Sequence, residues 1–243
     1  MITTLLPTYN EKDNIIPLIE DIFRAVGLDS EIIVVDDDSP DGTWKEVEKL
    51  ARSVPNLRLL RRIEEKGLVS ALQEGISASR GDTIVWMDCD FSMPPSKIPD
   101  LLAEIDAGFD MAVGSRFVEG GGVEIVTGSQ DSIISFLMSL FLNKFIRTVL
   151  ISDFKDYTSG FVAARKAVLL DTPLRGDYGE YFIDLAYRAI KRGYRVKEIP
   201  YLCAARRRGQ SKTGTNIFHY FQKGIKYIVV TLRLRFSKIR PRK

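Results

Sequence analysis

Short apolar runs alternate with longer helix-forming stretches from the first residue onward, and this alternation limits the possible folds more than any other property of the sequence. Strands are expected at residues 2–6, 31–35, 57–60 and 83–87, and helices at 13–25, 43–52 and 68–79. Strands joined by crossover helices at this spacing lie parallel in one sheet. Pro94-Pro95 opens a further helix to about residue 107, and a short strand at 111–113 leads into Gly114-Ser115-Arg116. Beyond that point the pattern loosens into Gly120-Gly121-Gly122, an apolar helix at 133–151, a strand-like 160–164, a helix at 181–192 and a strand at 195–199. The expected class is α/β, with a mostly parallel Rossmann-like sheet flanked by helices. At 243 residues the chain can bury one substantial core. We expect one domain over 1–215, in halves 1–115 and 116–215, followed by a basic amphipathic tail at 216–243.

The polar residues cluster where the strands end. The run at 83–87 stops at Asp88-Cys89-Asp90, two carboxylates one residue apart. Hard cations such as Mg²⁺ and Mn²⁺ take oxygen donors, often one or two carboxylates plus the phosphates of a substrate. An isolated Asp-x-Asp is also a common solvated loop or helix cap. Upstream, the strand at 31–35 runs into Asp36-Asp37-Asp38-Ser39-Pro40-Asp41-Gly42-Thr43, four carboxylates within six residues. Like charges so close repel unless donors or a ligand compensate. A turn with a helix cap accounts for Ser39 and Asp41. It does not account for Asp36 and Asp37, which sit at the carboxyl end of a strand, where open α/β sheets bind ligands. The first strand likewise ends in Pro7-Thr8-Tyr9-Asn10-Glu11. Three strands thus deliver polar residues to one sheet edge, which makes 1–115 the nucleotide-binding half.

Several classes are excluded. No Gly-x-Gly-x-x-Gly follows the first strand and no Walker Gly-x-x-x-x-Gly-Lys occurs, against a dinucleotide oxidoreductase and a P-loop enzyme. His219, the only histidine, lies in the tail, against a catalytic triad or a His-based zinc site. Only Cys89 and Cys203 are present, and the chain opens on a strand, which fits a reduced cytoplasmic setting. The net charge of +3 hides an asymmetry: residues 201–243 hold 12 Lys or Arg and no acid, against 23 basic and 32 acidic residues upstream. Such a tail could bind nucleic acid, anionic lipid or substrate phosphates. Residues 217–236 interleave Lys223, Lys226, Arg233 and Arg235 with Phe218, Tyr220, Phe221 and Tyr227, which favours lipid and no nucleic acid. A terminal helix packed on the core with snorkelling cations is the alternative. The apolar 133–151 carries Asn143, Lys144 and Arg147, and reads as a surface-lying or buried helix rather than a membrane span.

Taken in order, Pro7-Thr8-Tyr9-Asn10-Glu11, the Asp36 to Thr43 run, Lys66-Gly67-Leu68, Asp88-Cys89-Asp90, Gly114-Ser115-Arg116, Thr158-Ser159-Gly160-Phe161 and Arg206-Arg207-Arg208-Gly209-Gln210-Ser211-Lys212 resemble the inverting family 2 glycosyltransferases of the GT-A fold, and among them the dolichol-phosphate mannose synthases. The resemblance covers about residues 1–215. It implies transfer of a hexose, with GDP-mannose the first choice of donor, to a dolichyl or other polyprenyl phosphate at the cytoplasmic face of a membrane, with C-terminal membrane-interface helices and room for an anchoring partner subunit. By motif position Pro7, Tyr9, Glu11 and Asp37 would hold base and ribose, with Asp36 and Lys66 nearby. Asp88 and Asp90 would hold Mg²⁺ or Mn²⁺ on the diphosphate, with Ser92 where the family often has a Gln ligand. Arg206, Ser211 and Lys212 would gather round the donor, and Arg116 and Ser135 round the acceptor phosphate. Asp156 would orient a sugar hydroxyl, or else serve a cap or turn. Asp184 stands where the family has a Glu. The basic cluster that usually precedes the apolar helix is here Ser129-Gln130-Asp131-Ser132, so a UDP-glucose donor or another acceptor stays open. From other classes, a phospho-receiver-like metal-binding module and a catalytically idle lipid-binding subunit are the rivals.

Overall fold

The structure, a computed structural model, describes residues 1–124, 130–206 and 217–242, with side chains in the helices at 130–149 and 217–235 described from 137 and from 224 onward. The expected alternation is present: β1 (Ile2–Thr8), α1 (Lys12–Val26), β2 (Glu31–Asp36), α2 (Thr43–Ala51), β3 (Leu57–Arg61), α3 (Leu68–Ala78) and β4 (Thr83–Trp86). A 3₁₀ turn at Pro95–Lys97 then leads into α4 (Ile98–Asp106) and β5 (Met111–Ser115). The second half adds β6 (Gly122–Val123), α5 (Gln130–Val149), β7 (Val162–Arg165), α6 (Lys166–Asp171), α7 (Tyr181–Lys191), β8 (Val196–Pro200), β9 (Leu202–Cys203) and α8 (Ile217–Arg235).

Seven strands form one sheet in the order β3-β2-β1-β4-β7-β5-β8. All its pairings are parallel except those of β7, which is inserted antiparallel between β4 and β5. β2 is buried along its whole length, as a central strand covered on both faces must be. Its residues alternate between two cores. Ile32 and Val34 face α1, whose Ile15, Leu18, Ile19 and Ile22 recur at helical spacing, while Ile33 and Val35 face α3. α7 and α8 complete the second core, with Leu234 of α8 in it and α8 packed on α5 and α7.

The chain leaves β1 toward β2 on one side, and β4 lies on the other, so the strand order reverses between β1 and β4. At such a switch point the loops diverge and leave a crevice at the carboxyl ends of the strands. Three non-glycine residues take a left-handed backbone, Asn10 (φ 55°), Asp38 (φ 55°) and Phe91 (φ 67°), and they follow β1, β2 and β4. Asn and Asp tolerate that conformation; for Phe91 it carries a strain of order 1–3 kcal/mol, maintained by burial of its ring.

Candidate active site

A cavity of about 580 Å³ opens at that crevice. Its walls come from the ends of β1, β2 and β4, the start of α3, the 158–160 turn, and residues from 177 onward, including one from α8. Pro7, Tyr9, Glu11 and Asp37 are among the lining residues. Asp37 is held rigidly: Arg62 Nε donates to its Oδ1 (2.7 Å) and the Gly67 backbone N–H to its Oδ2 (2.7 Å). Arg62, itself buried, also donates to Ser70 Oγ and the Gly67 carbonyl. Sequence reading did not single out Arg62, because one of two consecutive arginines after a strand carries no local mark. Glu11 accepts from Asn14 Nδ2 (2.8 Å), and its backbone N–H donates to Thr43 Oγ1 (2.9 Å).

Asp88, Asp90 and Ser92 all line the cavity. Asp88 is exposed and Asp90 buried. The Ser92 backbone N–H donates to Asp90 Oδ1 (2.9 Å), and Arg206 Nη2 lies 2.8 Å from Oδ2. Arg206 Nη1 is 3.3 Å from Glu11 Oε1, so one guanidinium bridges the carboxylates of two strand ends. A cationic group is therefore taken up at Asp90, and the donor set of two carboxylates is hard oxygen chemistry. Among the described residues no cluster of three or more His, Cys, Asp or Glu is placed to hold a metal ion. That pairing of few protein carboxylates with an open cavity fits Mg²⁺ or Mn²⁺ completed by phosphate and water oxygens.

Arg116 also lines the cavity. Its Nε and Nη2 donate to the two oxygens of Asp156 (2.8 Å each), its backbone N–H to Oδ2 (3.0 Å), and Nη2 also to Thr158 Oγ1 (2.7 Å). Burial works against the guanidinium charge, but Asp156 outweighs it and raises the pKa further. Asn143 of α5 donates to Thr158 Oγ1 (2.7 Å), which ties the apolar helix to this cluster. Behind it, Glu198 accepts from the backbone N–H groups of Lys155 and Asp156, and burial raises its pKa.

Four expected site residues take other positions. Asp36 is fully buried and turned inward, its oxygens accepting from Thr8 Oγ1 (2.9 Å) and from the Ser39 hydroxyl and N–H. Asp156 is fully buried, lies outside the cavity lining and holds Arg116 with both oxygens, which makes it the orienter of that side chain. Asp184 lies outside the cavity lining and is paired with Arg188, which also donates to the Pro173 carbonyl (2.5 Å). Lys66 stands above the Tyr9 ring, 5.7 Å from its centroid, rather than in the lining. The turn reading was right for Asp41, whose Oδ1 accepts from the Thr43 N–H (2.9 Å). Arg207, Arg208, Gly209, Gln210, Ser211, Lys212 and the Ser129 end of the missing basic cluster lie outside the described residues, as do the side chains of Ser135 and His219.

The remaining wall is aromatic and was not foreseen as part of the site. Trp86 Nε1 donates to Tyr181 Oη (2.8 Å), and both line the cavity with Tyr178, Tyr201 and Tyr227. Lys226 Nζ bonds both oxygens of Asp177 (2.7 and 2.8 Å) and so fastens α8 to the loop before α7.

The sequence model described as glycosyl transferase family 2 matches residues 3–172. A dolichol-phosphate mannosyltransferase of Pyrococcus furiosus is 38% identical over 224 residues, 91% of this chain; the chain spans 62% of that protein's length. A polyprenol monophosphomannose synthase of Mycolicibacterium smegmatis is 36% identical over 88% of this chain and 81% of its own. Among solved structures, glucosyl-3-phosphoglycerate synthase from Mycobacterium tuberculosis, in complex with Mn²⁺, UDP and glucosyl-3-phosphoglycerate, superposes with a TM-score of 0.71 at 19% identity, covering 98% of this chain and 81% of that one. That likeness extends the mostly parallel α/β architecture to nearly the whole chain, and the match over 3–172 takes in β1, β4 and the Arg116 cluster. The chain belongs to glycosyl transferase family 2.

Proposed function

We propose that this protein transfers a hexose, mannose from GDP-mannose in the first instance, to a polyprenyl phosphate with inversion at the anomeric carbon. The observation that carries the reading is one cavity whose lining holds Asp37, Glu11, Asp88 and Asp90 together with Arg116, whose guanidinium is fixed by Asp156. The relatives named for polyprenyl-phosphate mannosyl transfer support the sugar and acceptor class.

On this reading Asp37 and Glu11 hold the nucleoside, and Asp88 and Asp90, with Ser92 beside them, would hold Mg²⁺ or Mn²⁺. When bound, the ion would neutralise the diphosphate and make it a better leaving group. Arg116 receives the acceptor phosphate, whose second pKa is near roughly 6, so that it arrives mostly dianionic. One phosphate oxygen attacks the anomeric carbon as the bond to the diphosphate breaks, and the nucleoside diphosphate leaves with that electron pair. No proton has to move, so no general base is required. Positioning and charge neutralisation carry the rate. Arg206 is then a cation that can pass from Asp90 to the donor phosphates.

Among the described residues no helix is long and apolar enough to cross a membrane. α5 nevertheless exposes Leu137, Met138, Leu140 and Phe141, and α8, packed beside it, exposes Ile225, Ile228, Val229 and Leu232. We read this pair as the face that rests on the lipid surface, at the cytoplasmic side. The test is incubation with labelled GDP-mannose or UDP-glucose, Mg²⁺ or Mn²⁺ and a short polyprenyl phosphate. A mannosyl lipid formed only with the polyprenyl phosphate is expected; glucosyl transfer would reassign the donor, and no transfer from either would defeat the reading.

A further inference from the structure

The geometry points to Tyr227, on the C-terminal helix α8, as a residue that contacts the hexose of the nucleotide-sugar donor and helps select it; this rests on the reading just proposed. Tyr227 lines the same cavity as the carboxylates that follow β4. Its phenol is half-buried, and desolvation raises its pKa and keeps it neutral. It therefore brings a neutral hydroxyl to the cavity wall, from which a bound ligand can accept a hydrogen bond.

The position of the ring is enforced from two sides. Lys226, one residue before it, is clamped to Asp177. Gly179 leaves the space for the hydroxyl: a Cβ there would fall well inside contact distance of Tyr227 Oη. A glycine whose missing side chain is replaced by a tyrosine from a helix about fifty residues later is a fitted arrangement.

The surroundings suit a sugar. The wall beside Tyr227 holds Tyr178, Tyr181 and Trp86, flat apolar faces with polar edges of the kind hexoses stack on. Near it stands Glu180, one of whose oxygens is buried without a partner, while Asp177 is paired with Lys226. The neutral hydroxyls of a hexose can both accept from Tyr227 and donate to a carboxyl.

Calorimetry with Mn²⁺ on the full chain tests this, comparing GDP with GDP-mannose and UDP with UDP-glucose, so that the nucleotide and hexose contributions separate. In Tyr227→Phe we expect binding of the preferred nucleoside diphosphate to match wild type and binding of its sugar conjugate to weaken roughly 2- to 13-fold, the loss of one hydrogen bond. Gly179→Ala, which pushes the hydroxyl aside, should move the same ratio in the same direction. Circular dichroism and the thermal midpoint check that both variants fold. The inference is overturned if Tyr227→Phe binds the sugar conjugate as wild type does, or loses conjugate and diphosphate equally. If wild type binds none of the four nucleotides, the reading of the site itself fails and this inference with it.

Discussion

Arg116 derives its orientation from Asp156 rather than from the cavity. The pair is bidentate, Asp156 fully inaccessible and Arg116 half-buried, so removing one partner strands the other's charge in a poorly solvated place. Asp156→Asn should therefore destabilise the protein by about 3–5 kcal/mol in urea unfolding. Arg116→Lys keeps the charge but loses the fork; its expected signature is a raised acceptor KM with little change in donor KM. Asp90→Ala should leave the fold intact by circular dichroism and lower transfer by about 10²-fold or more, the effect of losing several kcal/mol of leaving-group stabilisation. Transfer unchanged in that variant would remove the metal assignment. At this scale the sequence showed which positions are polar at strand ends but not which way each points. Asp36 closes β2 and is turned inward, while Asp37 follows the strand; of the two, only Asp37 reaches the cavity. Arg62 and Tyr227 were illegible for a different reason: their roles are set by residues distant in the chain.

At the scale of elements, strands and helices in the first half were readable to within one or two residues, because local periodicity and strand-end chemistry agree there. The antiparallel insertion of β7 was not, since a four-residue apolar strand looks the same in either direction. Glu31 shows how the first three strands are locked in register. It accepts from Thr3 Oγ1 of β1 (2.7 Å), Arg58 of β3 (2.7 Å) and the Arg80 backbone N–H (2.8 Å). Burial pushes its carboxyl pKa up, but these donors outweigh burial and hold it below the usual 4.5. A depressed folded-state pKa means the contribution to stability is present above 4.5 and is lost as pH falls through the folded value. Glu31→Gln should accordingly cost about 1–3 kcal/mol at pH 7. Its gap from wild type, read from urea midpoints, should close as the pH falls below 4.5, whereas a constant gap would mean the carboxylate charge is not what joins the strands.

For the whole molecule, the charge asymmetry and the placement of α5 and α8 describe one surface. The acidic body supplies Asp37, Asp88 and Asp90 to the cavity, while the basic segment from residue 201 onward supplies Arg206 and, from α8, Tyr227. α8 is thus joined to the core by Leu234 and Tyr227 on one side while its other side presents Ile225, Ile228, Val229 and Leu232 outward, continuous with the exposed residues of α5. A helix with a packed face and a second apolar face has more apolar surface than solution alone would leave open. If that surface seats the protein on anionic bilayers, two contributions should separate experimentally. Cosedimentation with vesicles containing anionic lipid should weaken as salt rises, because the basic residues act through screened charge. Phe141→Glu combined with Val229→Glu should weaken it at every salt concentration, because those substitutions remove buried area and place charge against the acyl boundary. Neither residue lines the cavity around Asp37, Asp90 and Arg116, so nucleotide binding in solution should be untouched. Vesicle binding that survives the double substitution would move the lipid contact off this face and leave the exposed residues of α5 and α8 to another partner.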